Sequence, residues 1–233
     1  MVILSHYTWG PSGPFFYLYI MPIPTTNATQ ELPAVNEILA SVGQAPVTTL
    51  DQTNPDVAIA YDTLLQVSRE VQAEGWSFNT EYDYPATTDA NKEYVIPSNM
   101  LQVDLSESTP TSRIANGSKN VIRRDGKLYD KYNHTYEITS EASADIKLDI
   151  TWVFDWVDLP TPIQDYIVSR AATIVSSRIV GDGGQYQMLQ QREAYTRAMA
   201  LEYETQQGDY TFFGHPKGQN YYNSYQPYKA LYR

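Results

Sequence analysis

The chain has 233 residues, no cysteine, three histidines and a formal net charge of −11. That length can bury its own core without staples; the missing cysteines exclude disulfides, thiolate metal sites and cysteine nucleophiles, and His6, His134 and His215 are not spaced as a ligand pair. So acidic a composition also argues against a surface that grips nucleic acid, which takes clustered Lys and Arg.

Residues 1–26 read as an N-terminal extension. They hold a short apolar run at 15–20, Phe-Phe-Tyr-Leu-Tyr-Ile, behind Gly-Pro-Ser-Gly-Pro. The run has neither the positive flank nor the cleavage site of a secretory signal, and it is too short to span a bilayer. Met21 opens a second plausible start, so residues 1–20 are either an upstream extension of the reading frame or an additional docking arm.

Residues 27–75 read as a helical hairpin. Leu32, Val35, Ile38, Leu39 and Val42 recur at intervals of three and four, one stripe of a helix capped near Thr29. Gly43 ends it and Pro46 forbids continuation. Asn54-Pro55 is a cap and first-position pair opening a second helix, with Val57, Ala60, Tyr61, Leu64 and Val71 as its stripe and Gly75 as its stop. Helices joined this closely pack antiparallel.

Residues 76–158 read as a β-rich insertion of four to six mostly antiparallel strands. Trp76 and Phe78 alternate with polar neighbours, and residues 95–105 have strand composition interrupted by Pro97. Asp125-Gly126 is a two-residue hairpin turn. Ile146, Leu148, Ile150 and Trp152 alternate strictly with polar residues, as on a half-buried strand.

Residues 159–207 read as a second helical pair. Leu159-Pro160-Thr161-Pro162 repeats the cap-then-proline logic, and Ile163, Ile167, Ala171, Ile174 and Val175 form the stripe of a helix ending at Gly181. Asp182 caps a fourth helix over 184–206, carrying Met188, Tyr195, Met199 and Tyr203, with Gly208 as its stop. The expected fold class is α+β: an antiparallel helical bundle of two helical pairs, an inserted antiparallel β-rich domain, and extended terminal arms. Residues 208–233 form the C-terminal arm. Gly and Pro break any period there, yet Phe212, Phe213, Tyr221, Tyr222, Tyr225, Tyr228 and Tyr232 crowd it, a composition suited to packing on another surface.

The stretch Ala34-Val35-Asn36-Glu37-Ile38-Leu39, then Gly43, Pro46-Val47 and Gly75-Trp76-Ser77-Phe78-Asn79-Thr80-Glu81, resembles the tail tubular protein A family, the head-to-tail adaptors or gatekeepers of short-tailed phages. The similarity is dense over 31–81 and looser over the helices near 162–206. It implies a structural protein of the virion tail without cofactor, metal or catalytic residues. The implied assembly is a twelve-copy ring between a dodecameric portal and a hexameric tail nozzle, with genome DNA passing through unbound and no membrane contact. By the same resemblance the C-terminal segment embraces the portal, so Phe212, Phe213, Tyr221, Tyr222, Tyr225, Tyr228 and Tyr232 are the expected portal-binding residues.

Other readings come from the residues alone. Glu81, Asp83, Asp149, Asp155 and Asp158 offer carboxylates from which an acid pair acting on glycan could be drawn, although nothing in the sequence fixes two at catalytic separation. Tyrosine-rich loops would suit a receptor-binding module. Gly181-Asp182-Gly183-Gly184 precedes a helix but lacks the Lys-Ser/Thr of a phosphate loop, and reads as a turn. Lys119, Arg123, Arg124, Lys127 and Lys131, interleaved with Asp125 and Asp130, read as ordinary solvated hairpin charges. Three glycosylation-like triplets, at Asn27, Asn116 and Asn133, have no secretory signal to support them.

Overall fold

The computed structural model describes residues 28–208 apart from Ser118. Four helices and five strands follow in the order α1 (Ala28–Ser41), α2 (Pro55–Gln72), β1 (Thr80–Thr87), β2 (Met100–Leu105), β3 (Val121–Arg124), β4 (Lys127–Asp130), β5 (Asp145–Trp152), α3 (Thr161–Ile179) and α4 (Gly183–Gln207). The chain is mixed helix and strand, and every strand pair is antiparallel.

α1 already includes Ala28, so it starts ahead of the cap expected near Thr29. Its C-terminus is a two-bond Schellman stop: Gly43 takes φ +77°, its N–H bonds to Ala40 O, and Gln44 N–H bonds to Leu39 O. The chain then turns back along the helix and is held there by Asn36. Its side-chain carbonyl accepts from Val47 N–H at 2.8 Å, and its amide donates to Val47 O at 3.0 Å. α2 starts as its sequence predicts, with Asn54 as cap accepting from Asp56 N–H and Pro55 in the first turn. Between these helices the Tyr61 hydroxyl donates to the buried Glu31 carboxylate at 2.7 Å.

One hydrophobic core joins the helices. Val35, Ile38 and Leu39 of α1 meet Val57, Leu64 and Val67 of α2 and Ile163, Ile167 and Val175 of α3, with Ala200 added from α4. α3 is the central member, buried at nearly every position from Tyr166 to Ser176. One expectation fails here. Thr161 is inside α3 rather than capping it, and the residue before it, Pro160, has no side-chain donor or acceptor to offer. The α4 residues Met188, Tyr195 and Met199 face away from the core, and Ala200 is the helix's one buried residue.

A second core lies under the three-stranded sheet β1-β5-β2 and the hairpin β3-β4. Ile146, Leu148, Ile150 and Trp152 are all buried, as their alternation requires, beside Met100, Leu128 and Ile138. The hairpin turns at Asp125-Gly126, with φ values of 50° and 72°, the backbone of a two-residue turn that follows strand twist. The segment 95–105 divides. Val95 makes only an isolated bridge to Lys127, residues 97–100 turn with Met100 N–H bonded to Pro97 O, and β2 begins after that turn. Trp76 is likewise no strand residue. It sits in the turn before β1, packs in the helical core, and donates Nε1–H to Val71 O at 2.7 Å.

Buried amides join the two cores. Asn79 accepts from Trp76 N–H and donates to Gln72 O and Trp152 O, while Trp152 N–H bonds to Asn79 O. Gln72, fully buried at the end of α2, accepts from Phe154 N–H at 2.7 Å and donates to Phe154 O at 3.3 Å. The side-chain amides of Gln72 and Asn79 thus pair the backbone groups of Trp76, Trp152 and Phe154, whereas the buried Trp152 Nε1–H has no partner among the described residues.

Candidate functional site

The carboxylates considered from sequence fall into two places. Asp83, in a β1 bulge with φ 56°, donates its N–H to Asp149 of β5 at 3.0 Å, and its own carboxylate accepts from the Ser106 and Ser108 hydroxyls. Asp155 and Asp158 stand past the end of β5, in the turn leading into α3. Glu81 is paired across strands with Ile150.

Asp104, which no motif marks, lies directly opposite Asp149 in the β2–β5 register. Partial burial above all, and then the facing charges of Asp149 and Glu107, hold its carboxyl above the usual carboxylate range, against the pull of its bond from Leu105 N–H. Beside this pair runs a groove of about 590 Å³, lined by Glu74, Thr80, Tyr82, Gln102, Arg123 and Thr151 among others. Asp104 and Asp149 project side by side from one face of one sheet, whereas a hydrolytic pair must flank the bond it cleaves. Among the described residues no cluster of His, Asp and Glu could hold a metal ion, and no helix is long and apolar enough to cross a membrane.

The charges of the basic hairpin are solvated, as the sequence reading has them, with Arg123, Arg124 and Lys131 exposed, and most also find a partner within the chain. Arg123 donates to Met100 O at 2.7 Å, the Arg124 guanidinium lies 4.1 Å from the Tyr129 ring centroid, Lys127 pairs with Glu93, and Lys119 donates to Glu107 O. Lys131 remains exposed. His134 is exposed at φ 55°. The glycine-rich turn at 181–184 serves as a helix connection, with Gly181 at φ 69° and the Asp182 carboxylate capping Gly184 N–H.

The polar groups of α4 reach back to the rest of the chain. Arg192 pairs with Glu37 of α1, and Arg197 pairs with Glu74 at 3.3 Å while donating to the Tyr166 hydroxyl at 2.7 Å. Glu204 accepts from both Ser77 N–H and the Ser77 hydroxyl. The outer side of α4 mixes apolar and polar groups, with Met188 at 73% and Tyr195 at 66% exposure beside the exposed Gln191, Arg192 and Glu202. Phe212, Phe213, Tyr221, Tyr222, Tyr225, Tyr228 and Tyr232 lie outside the described residues.

The family of tail tubular proteins matches residues 32–210, a span that runs through all four helices and both sheets. The chain belongs to the tail tubular protein family. It is also similar to tail tubular protein A of Klebsiella phage KP34, 25% identical over 175 residues that cover 75% of this chain and 87% of the relative. As a tail tubular protein it is a structural component of a phage virion tail. The resemblance read densely at residues 31–81 and more loosely near 162–206 thus extends across the β-rich segment between them. The amides Gln72 and Asn79, the opposed pair Asp104 and Asp149, and the outward turn of α4 were all missed from sequence.

Proposed function

We propose that this chain is a head-to-tail adaptor: copies assemble as a ring, expected to hold twelve, between a dodecameric portal and a hexameric tail nozzle. What carries the reading is the likeness to a tail tubular protein A along most of that protein's length. In this reading the two helical pairs form one bundle around the channel, and the β-rich region at 76–158 projects from it to receive the nozzle. Residues 208–233 embrace the portal through Phe212, Phe213, Tyr221, Tyr222, Tyr225, Tyr228 and Tyr232.

The charge of −11 suits a conduit. Repeated around a ring, it gives DNA leaving the head a wall that repels phosphate instead of holding it. The role is structural and invokes no chemical step. Its test is electron microscopy of the purified chain mixed with its portal: a ring capping the portal's tail-side face is expected. A portal that stays bare at saturating chain concentration would overturn the adaptor reading.

A further inference from the structure

α4 is held to the rest of the chain by polar bonds and by little else. Of its 25 residues only Ala200 is buried, and no larger apolar side chain of the helix packs against the helical core among the described residues. Leu189 and Tyr203 are half-buried and stand outside that core. The other three helices share a stripe of Val, Ile and Leu, the kind of contact that fixes a helix in water.

The bonds that stand in for such a stripe are accessible ones. Arg192 pairs with Glu37 of α1 and Arg197 with Glu74, all four side chains being more than a third exposed, and Glu193 lies near Arg170. Ion pairs so placed add little to stability, and salt weakens them further. Gln185 donates to Ser41 O, Glu204 accepts from Ser77, and the hydroxyls of Ser169 and Thr196 bond between α3 and α4. The Tyr166 hydroxyl that Arg197 reaches keeps a second donor in Arg170. Each group uncovered when the helix leaves can take water instead, so the net loss per bond is small.

The connection to α3 leaves the helix free to turn. Gly181 sits at φ +69°, and a side chain at Gly181 or Gly183 would meet nothing within 4 Å, so no packing holds the turn in place. The Asp182 cap on Gly184 N–H belongs to the start of α4 and travels with it.

We propose that α4 is a hinged strap: it leaves α1 and α3 as one unit, turning about residues 181–183, while α1, α2 and α3 keep their common core. At about 1.5 Å per residue its 25 residues make a lever on the order of 37 Å. Residues 209–233 follow its far end, so in the adaptor reading the strap sets how far the arm reaches; the opening itself does not rest on that reading.

Hydrogen exchange of the full chain reads the opening directly, because a helix free of its neighbours frays within about a microsecond and its amides then exchange. Corrected for intrinsic rates, amides from 188 to 203 should exchange at least an order of magnitude faster than those in the middle of α2 and α3, with similar protection along the stretch. Raising salt from about 0.1 M to about 1 M should quicken them severalfold and leave α3 unchanged. Ser169→Cys with Thr196→Cys places a disulfide where two hydroxyls already bond, in a chain with no other cysteine. Oxidation should bring the amides around 196 down to the α3 range, and reduction should release them.

Protection of α4 equal to that of α2 and α3 in the parent chain would overturn the strap. Protection that rises steadily from Gly208 inward would overturn it too, since that is fraying from one end, as would an oxidised clamp that leaves the rates unchanged. Fast exchange indifferent to salt would overturn the part given to the ion pairs.

Discussion

Gln72 holds Phe154 by both of its backbone polar groups, as a neighbouring strand would, although the two residues are 82 positions apart. Asn79 does the same kind of work one step away, joining Trp76, Gln72 and Trp152. Removing either amide strands buried groups, at about 1–3 kcal/mol for each one left unpaired. Asn79→Ala, whose three lost bonds are all buried, should therefore destabilise more than Gln72→Ala, whose bonds to Phe154 and Ser68 are part-buried, and Asn79→Asp should be no better than Ala because a carboxylate would face two carbonyls. Urea unfolding of the three variants checks the order; a tolerated Asn79→Ala would show that the junction does not depend on it.

Leu39, 2% exposed in the helical core, should not tolerate a hole. Leu39→Ala should lower stability by roughly 2–5 kcal/mol. The exposed Ala40 beside it makes the contrast, since Ala40→Gln should change the unfolding midpoint little.

Asp104 should make the fold more stable in acid than its neighbours alone would allow. Its folded carboxyl sits above the usual range, so the folded chain binds that proton more tightly than the unfolded one. The contribution is fully present below the ordinary aspartate value and is lost as pH rises through the raised one. Asp104→Asn should therefore exceed the parent in stability at neutral pH, with the gap closing as pH falls toward the ordinary aspartate range. An unchanged gap across that range would mean that neither partial burial nor the charges of Asp149 and Glu107 hold the Asp104 carboxyl above its ordinary range.

Deleting residues 209–233 should leave the helical core folded, since Ala200 and the Glu204 contact to Ser77 precede the cut. Portal attachment should be lost. A truncated chain that melts like the parent and still binds portal with equal affinity would remove the C-terminal segment from the interface.

Duplex DNA should show no measurable binding to the isolated chain even at low ionic strength, where attraction is least screened. Arg123 and Arg124, the two arginines of the hairpin, are engaged by Met100 O and by the Tyr129 ring. A salt-sensitive complex abolished by Arg123→Glu with Arg124→Glu would reverse this picture of the channel wall.

Much of the fold could be read locally. The stripes of α1, α2 and α3, the Asn54-Pro55 start, the Asp125-Gly126 turn and the alternation in β5 each depend on neighbours within a few residues, and each appears where expected. What escaped depends on partners distant in sequence. Asp104 looks ordinary until register sets it opposite Asp149, and Gln72 looks like a surface helix residue until residue 154 arrives. Met188, Tyr195 and Met199 lie near one side of α4, and periodicity reports such a side without saying whether the chain's own core or something else covers it. The arm residues carry an aromatic composition whose partner surface no local pattern can reveal.

The junction around Gln72 and Asn79 has a mechanical side. Several hydrogen bonds between the end of α2, the first turn after it and the exit of β5 span a short seam, so a pull on the sheet would strain them together instead of one after another. Such a seam is stiff and brittle: it yields little extension until it breaks, and then it breaks at once. Tension along β5 would pass to the end of α2 through the bonds of Gln72 and Asn79.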